Sequence, residues 1–141
     1  MIDSFNPPGI WSPFGAFSMG VVQGDGRIVY LKGQVALDQD GHIVGQDDMR
    51  AQVRKVLENI QAVLDHVGGQ MGDIVSLTQY VTDIRAFMEA GKVRQEFFAP
   101  PFPVTTTVEV SSLYDPRLLV EITAIAEIPR ARFKPPVSPD S

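Results

Sequence analysis

The chain has 141 residues, of which 44% are hydrophobic and 21% charged, so its size and composition are those of one ordinary globular domain. It contains no cysteine, which excludes disulfides, thiolate nucleophiles and sulfur-ligated metal sites. The net charge of −5 argues against a nucleic-acid partner, because phosphate contacts need clustered lysine and arginine.

The distribution of apolar and basic residues excludes further classes. No apolar run approaches the about 20 residues that span a bilayer, and the N-terminus lacks the charged and apolar regions of a signal peptide. We therefore expect a cytoplasmic protein without a membrane partner. The one basic cluster is Arg130, Arg132 and Lys134, at the start of a proline-rich end that includes Pro139. We interpret it as a solvated tail rather than a binding patch.

The first predicted elements are two apolar, β-branched runs at residues 17–22 and 27–37. Gly24-Asp25-Gly26 between them predicts a hairpin turn. Apolar residues then recur at steps of three and four, which predicts an amphipathic helix that Asp47 or Asp48 can cap and Gly68-Gly69 ends. The apolar positions of this helix are Met49, Val53, Val56, Leu57, Ile60, Val63, Leu64 and Val67.

The second half of the chain predicts one more helix and three strands. A strand at residues 74–82 precedes a helix at 84–98, which is ended by the prolines from Pro100 onward. Two long strands follow, at 104–113 and 118–128, with a turn between them.

The order β-β-α-β-α-β-β predicts an α+β fold, in a single domain over residues 1–141 whose core spans about 17–128. Right-handed crossovers place the two helices on one face of a mixed sheet and leave the other face open. The run Ile28-Val29-Tyr30-Leu31 is nevertheless apolar on both sides. Another copy of the chain is the simplest cover for the open apolar surface, so we expect a homo-oligomer.

Polar side chains alternate along the last two predicted strands. Thr105 and Thr107 share one side of the first strand, while Glu121 and Thr123 share one side of the second. If these strands pair across their turn, the three threonines and the glutamate cluster on the open face. A carboxylate partly buried there could orient or deprotonate a water. Alternatively, these polar residues only tolerate a wet interface.

Outside this cluster, one lysine and two histidines are further candidates for a functional role. Lys32 interrupts an apolar strand, either because it snorkels to solvent or because it is aimed into a pocket, where it could pair with a substrate carboxylate or with Glu121. His42 and His66 are far apart and no cysteine accompanies them, so we predict no metal site.

Several short motifs resemble, in order and spacing, those of the reactive-intermediate-deaminase (Rid, YjgF-like) superfamily, formerly called the endoribonuclease L-PSP family. The similarity runs from about residue 17 to residue 128. The matching segments are Ile28-Val29-Tyr30-Leu31-Lys32-Gly33-Gln34, Asn59-Ile60, Gly72-Asp73-Ile74-Val75, Val81-Thr82-Asp83, Phe97-Phe98, Phe102-Pro103, Val108-Glu109-Val110 and Val120-Glu121-Ile122-Thr123-Ala124-Ile125-Ala126.

The resemblance implies a homotrimer of chorismate-mutase-like subunits, of the bacillary type, with active sites in the clefts between them. The best-known members hydrolyse enamines and imines to keto acids and ammonia, without a metal or cofactor. In those members an arginine two residues beyond the Phe-Pro pair holds the substrate carboxylate, and a glutamate on the last strand positions the water.

This sequence keeps the glutamate, as Glu121, but has Thr105 at the arginine position. Three other pocket positions also depart from the family pattern. Phe17 stands where a tyrosine is common, Lys32 replaces a small hydroxyl residue, and Gly91 replaces an asparagine. A lost guanidinium removes a charge-assisted, two-pronged contact with a carboxylate, so the resemblance implies an unusual substrate.

We therefore predict a cofactor-free hydrolase or deaminase that acts on a small imine, enamine or related C–N metabolite. In this hypothesis Glu121 and Lys32 are catalytic, and the substrate-binding residues are Phe17, Gly33, Gly91, Thr105, Thr107 and Tyr114. The alternative is a trimeric small-molecule-binding protein without turnover. An endoribonuclease-type activity is a distant third, because the chain is acidic.

Overall fold

A four-stranded mixed sheet forms the centre of the structure, a computed structural model that describes residues 2–136. The strands lie in the order β3-β6-β4-β5, where β3 is Arg27–Tyr30, β4 is Ile74–Val81, β5 is Val104–Glu109 and β6 is Val120–Ile128. β4 and β5 are parallel, whereas β6 is antiparallel to both of its neighbours. The predicted α+β fold with a mixed sheet is confirmed.

Helices cover one face of this sheet. They are α1 (Met49–His66), a 3-10 turn (Met71–Asp73), α2 (Ile84–Glu89) and α3 (Gly91–Gln95). The side chain of Asp48, one of the two predicted caps, accepts a hydrogen bond from the Ala51 N–H at 3.1 Å. Within residues 2–136, none of the helices has the length and apolar character needed to cross a bilayer.

The predicted second helix, 84–98, is wrong as a single continuous element. It breaks at Ala90, where the chain leaves α2 and enters α3, and it ends at Gln95. Gly91 at the break has the lowest helix propensity of any residue except proline, which is consistent with a change of direction at this point.

The core lies between α1 and the sheet. Leu57 and Ile60 of α1 are fully buried against it. The apolar side of β6 faces the helices and is also fully buried, as the alternation of this strand predicted. Its members are Val120, Ile122, Ala124, Ala126 and Ile128.

Two predicted strand pairings are wrong. The runs on either side of Gly24-Asp25-Gly26 do not form a hairpin, because β2 (Gly20–Val22) pairs with β1 (Asp3–Phe5) and β3 pairs with β6. The Gly24 N–H instead donates to the buried carboxylate of Glu127 at 2.7 Å, which holds the turn over the sheet. β5 and β6 do not pair either, since β4 lies between them.

The basic segment after β6 is tied to the domain. The Arg132 guanidinium lies 2.6 Å from the Asp73 carboxylate and donates to the Gly68 carbonyl oxygen at 2.9 Å. The Lys134 N–H donates to the Val67 carbonyl oxygen. This segment is therefore held against the domain rather than free, although the side chains of Arg130 and Lys134 are exposed. Pro139 lies outside the described residues.

One buried amide joins three parts of the chain. The Gln52 side chain on α1 is fully buried. Its Nε2 donates to the Gly45 and Arg117 carbonyl oxygens at 3.1 and 2.9 Å, and its Oε1 accepts from the Leu119 N–H at 2.8 Å. These bonds fix the approach to β6, and hence the position of the residues at the start of that strand.

Replacing this amide should destabilise the domain. Gln52→Leu removes three hydrogen bonds and deprives the Arg117 carbonyl oxygen and the Leu119 N–H of the partner that Gln52 supplies, so we expect the free energy of unfolding to fall by roughly 2–4 kcal/mol. Urea unfolding followed by circular dichroism measures this free energy of unfolding. Gln61→Leu, at an exposed position of the same helix, should change it by less than about 0.5 kcal/mol. Equal stabilities of the two variants would contradict this role for Gln52.

Candidate functional site

Glu121 lies on the sheet face opposite the helices. It is paired with Tyr80 in the β4–β6 register, and Thr123 is paired with Thr78, so these four side chains share the open face. Glu121 and Thr123 are both partly exposed. A carboxylate is therefore available on this face, with a hydroxyl group on the same strand two residues away.

Gly33 is held directly against Glu121. The Gln34 N–H donates to the Ile122 carbonyl oxygen at 2.9 Å, and the Ile122 N–H donates back to Gln34 at 3.0 Å, which fixes the segment after β3 beside β6. A Cβ on Gly33 would collide with the Glu121 carboxylate and would lie 3.1 Å from the Thr123 hydroxyl oxygen. The carboxylate therefore lies where a side chain at this position would be, and any larger residue would require it to shift.

Thr105 and Thr107 lie on the other face. The parallel register pairs Thr105 with Leu77 and Thr107 with Gln79, which places both threonines on the helix side. The predicted cluster of three threonines with Glu121 is therefore wrong within one chain. The physical reason is the insertion of β4, which separates the two strands and sets the register of each independently.

A cavity of about 340 Å³ opens between β5, the α2–α3 segment and the N-terminal segment. It brings together four of the residues predicted to bind substrate, and these are Phe17, Gly91, Thr105 and Thr107. These four residues are therefore neighbours in space, with the threonines on the face opposite to the predicted one. Their role in binding substrate stays a prediction.

An aromatic cluster forms one wall of the cavity. The rings of Trp11, Phe14 and Phe17 contact one another, with centroids 5.2–5.9 Å apart. Trp11 and Phe14 are 59% and 74% exposed, which is unusual for such large apolar side chains. The sequence analysis missed this wall because the prolines and glycines around it indicate only a loop.

Arg94 of α3 also lines the cavity, and the ion pairs in the described part of the chain do not include it. Its Nε and Nη2 atoms are buried without a hydrogen-bond acceptor. Its guanidinium carbon lies 5.7 Å from the centre of the Phe98 ring. Burial lowers the pKa of the Arg94 guanidinium below its ordinary value. The sequence analysis missed this residue, which is one of several charged residues in the second predicted helix.

Gln79 adds a second unpaired polar atom to the cavity. Its Nε2 donates to the Thr107 hydroxyl oxygen at 2.7 Å, whereas its Oε1 is buried without a donor. The cavity thus offers an unpaired cation and an unpaired acceptor beside two threonine hydroxyl groups. Unpaired buried polar atoms are rare in folded proteins and are expected where a ligand binds.

Lys32 and Tyr114 lie elsewhere. Both are exposed and line an open groove that Gly33 also borders, against Lys55 and Asn59 of α1. Among residues 2–136, the ion pairs do not include Lys32 with Glu121, so the pairing considered as an alternative for Lys32 is not present within one chain. Lys32 also does not line the cavity that contains Thr105, so within one chain it cannot replace the missing arginine.

One group in the described residues has the composition of a weak metal site. Oxygen and nitrogen atoms of Asp38, Asp40 and His42 lie within 4.8 Å of one another at the surface. The Asp38 carboxylate, however, accepts hydrogen bonds from the N–H groups of Asp40 and His42 at 3.0 and 2.9 Å. These bonds close a turn, which accounts for the grouping without an ion.

A model of the endoribonuclease L-PSP family matches residues 10–128. The chain belongs to this family. The RutC family protein SSO3206 of Saccharolobus solfataricus is 39% identical over 116 residues, which cover 82% of this chain and 89% of that protein. The RutC family protein PYRAB12510 of Pyrococcus abyssi is 32% identical over 115 residues, covering 81% and 87%.

Solved structures agree with this assignment. YyfB of Yersinia pestis, a protein of the Rid family, superposes with a TM-score of 0.82 at 30% identity, over 90% of this chain and 98% of that one. Rv2704 of Mycobacterium tuberculosis, a member of the YjgF/YER057c/UK114 family, gives a TM-score of 0.63 at 36% identity, over 79% and 86%. The resemblance to the Rid superfamily is confirmed, and it supports a deaminase-like or binding role on small molecules.

The contact between Gly33 and Glu121 can be tested by adding one methyl group. Gly33→Ala forces the flexible end of Glu121 to move, so we expect the free energy of unfolding to fall by about 1 kcal/mol, less than for overpacking in a rigid core. Gly72→Ala is the matched control, because a Cβ there meets no atom within 4 Å. Urea unfolding should separate the two variants, and a Gly33→Ala protein as stable as the control would contradict the described contact.

Proposed function

We propose that the chain is a cofactor-free hydrolase that deaminates small imines or enamines in a cleft between subunits of a homotrimer. The observation that carries the proposal is the division of the polar groups between two faces of one sheet. Glu121 lies on the open face and the cavity lies on the helix side of β5. The open face supplies the carboxylate, and the helix side supplies the cavity. A neighbouring copy of the chain would bring the two together in one site.

Glu121 is the group best suited to handle the water. It would accept a proton as the water oxygen attacks the carbon of the C=N bond, and return a proton to the nitrogen. Collapse of the resulting carbinolamine breaks the C–N bond and releases a carbonyl product and ammonia. The water supplies both the oxygen and the two hydrogens, so no oxidant or reductant is needed.

The open face supports association between copies. Tyr30 is 77% exposed and Val108 is 40% exposed, on a surface that the helices do not cover. β5 is the terminal strand of its sheet, so its outer edge carries backbone groups without a strand partner in one chain. An apolar surface beside an open strand edge is typical of an interface between subunits.

A second candidate is a trimeric binding protein of the same fold without turnover. Thr105 at the family arginine position favours this alternative. An endoribonuclease activity is less well supported, because the net charge of −5 disfavours a polyanionic substrate.

A turnover assay with imines generated in place by an amino-acid oxidase tests the catalytic role of Glu121. We expect Glu121→Gln to lower kcat by roughly 10²–10⁴-fold, because an amide cannot accept a proton from water. Glu58→Gln, at an exposed position on α1, is the matched control and should keep full activity. If the wild-type protein accelerates no imine hydrolysis but still binds small ligands, the binding protein is the correct alternative.

Assembly is tested separately by sedimentation equilibrium. We expect a mass near that of three subunits for the wild-type protein, and a shift toward one subunit for Tyr30→Lys, which places a charge on the open face. Gln61→Lys, at an exposed position of α1 away from the groove that Lys32 lines, should leave the mass unchanged. A stable wild-type monomer at micromolar concentration would exclude the cleft between subunits.

A further inference from the structure

We propose that Arg94 is the anion-binding group of the cavity, and that the ligands it selects are small carboxylates with an apolar or aromatic side chain. This inference rests on the proposed function, because it names the substrate class of the same cleft. It also assigns to Arg94 of α3 the role of binding a carboxylate, which the uncharged Thr105 near the start of β5 cannot fill.

The Arg94 guanidinium has two donor atoms that are shielded from solvent. Nε and Nη2 are both buried, and neither has an acceptor among the described residues. An unpaired buried charge is costly, and removing its desolvation penalty requires an opposite charge. Two donors on one edge of a planar guanidinium match the two oxygens of a carboxylate. The missing partner is therefore a small anion that enters from outside the chain.

Polar groups that line the cavity beside Arg94 can bind other parts of the same ligand. Thr105 and Thr107 line the same cavity and can add hydroxyl contacts to a carboxylate. The free Oε1 of Gln79 is an acceptor, so it can receive a hydrogen bond from an N–H group of the same ligand. A ligand that carries both a carboxylate and a nearby N–H satisfies all of these groups, and an imino or amino acid has this composition.

The volume and the aromatic wall of the cavity limit the size and polarity of the ligand. The cavity measures about 340 Å³, which admits a small molecule but not a polymer. Trp11 and Phe14 form its exposed aromatic wall, together with Phe17. Apolar or aromatic groups pack against such rings, whereas a second charge would be desolvated without a partner. The wall therefore selects monocarboxylates with an apolar side chain over dicarboxylates.

The matched ligands phenylacetate and phenylacetamide test the charge. They have almost the same shape, and only the first is an anion. Trp11 is the only tryptophan of the chain and lies in the cavity wall, so a change in its emission reports binding at this place. We expect the wild-type protein to bind phenylacetate about 10- to 100-fold more tightly than phenylacetamide in isothermal titration calorimetry, with a change in Trp11 emission.

Arg94→Gln should remove this discrimination, and Arg94→Lys should retain part of it, because lysine keeps the charge but not the planar fork. Arg85→Gln is the control, since Arg85 is exposed on α2 and does not line the cavity. Equal affinity of the wild-type protein for the two ligands would overturn the proposal. The same conclusion follows if Arg94→Gln and Arg85→Gln bind phenylacetate equally well.

Thermal unfolding separates a binding role from a structural one. Arg94→Met removes the unpaired charge but keeps the apolar stem, so we expect a higher melting temperature without ligand and no further rise with phenylacetate. A lower melting temperature together with unchanged phenylacetate affinity would show that the guanidinium serves the fold, and the proposal would be wrong.

Failure of this inference differs from failure of the proposed function. If Arg94 governs phenylacetate affinity but the wild-type protein hydrolyses no imine, the carboxylate site stands and the chain is a binding protein. If imines are hydrolysed at the same rate by Arg94→Gln and by the wild-type protein, the hydrolase stands and the assignment of Arg94 is overturned. The imine of phenylalanine is the substrate for this comparison, since it carries both the carboxylate and the aromatic side chain.

Discussion

The position of β4 between β5 and β6 is the constraint on which the candidate site depends. Its parallel pairing with β5 directs Thr105 and Thr107 toward the helices, and its antiparallel pairing with β6 directs Glu121 away from them. One sheet thus presents a carboxylate on one face and a cavity on the other. Groups on opposite faces of a sheet cannot meet around one small ligand, so this topology favours a site that two copies of the chain build together.

The charge of the cavity is arranged differently from the family pattern that the motifs imply. That pattern has an arginine on the strand, at the position of Thr105, whereas here a guanidinium reaches the cavity from the neighbouring helix, as Arg94. Because Arg94 lies on a helix and the arginine of the family pattern lies on a strand, the two guanidinium groups enter the cavity from different directions. The fold is nevertheless kept while most of the sequence differs, since YyfB superposes with a TM-score of 0.82 at 30% identity.

Sequence patterns were most informative where a residue's role depends on its nearest neighbours. The period of three and four residues identified α1, and alternation identified the buried side of β6. The family motifs further identified Phe17, Gly91, Thr105 and Thr107, which all line one cavity. The same patterns failed for the hairpin at Gly24-Asp25-Gly26, because the buried Glu127, about one hundred residues later in the chain, holds that turn.

The sequence by itself determined the α+β class, the family and the amphipathic faces of the long elements, because these follow from local periodicity and from short motifs. Only the tertiary structure decided which strands are neighbours, which face each polar side chain occupies, and that Nε and Nη2 of Arg94 are buried without an acceptor among residues 2–136. The physical reason is that pairing and desolvation depend on segments that are distant along the chain. No local pattern records whether a charged residue on a helix faces water or lines a cavity.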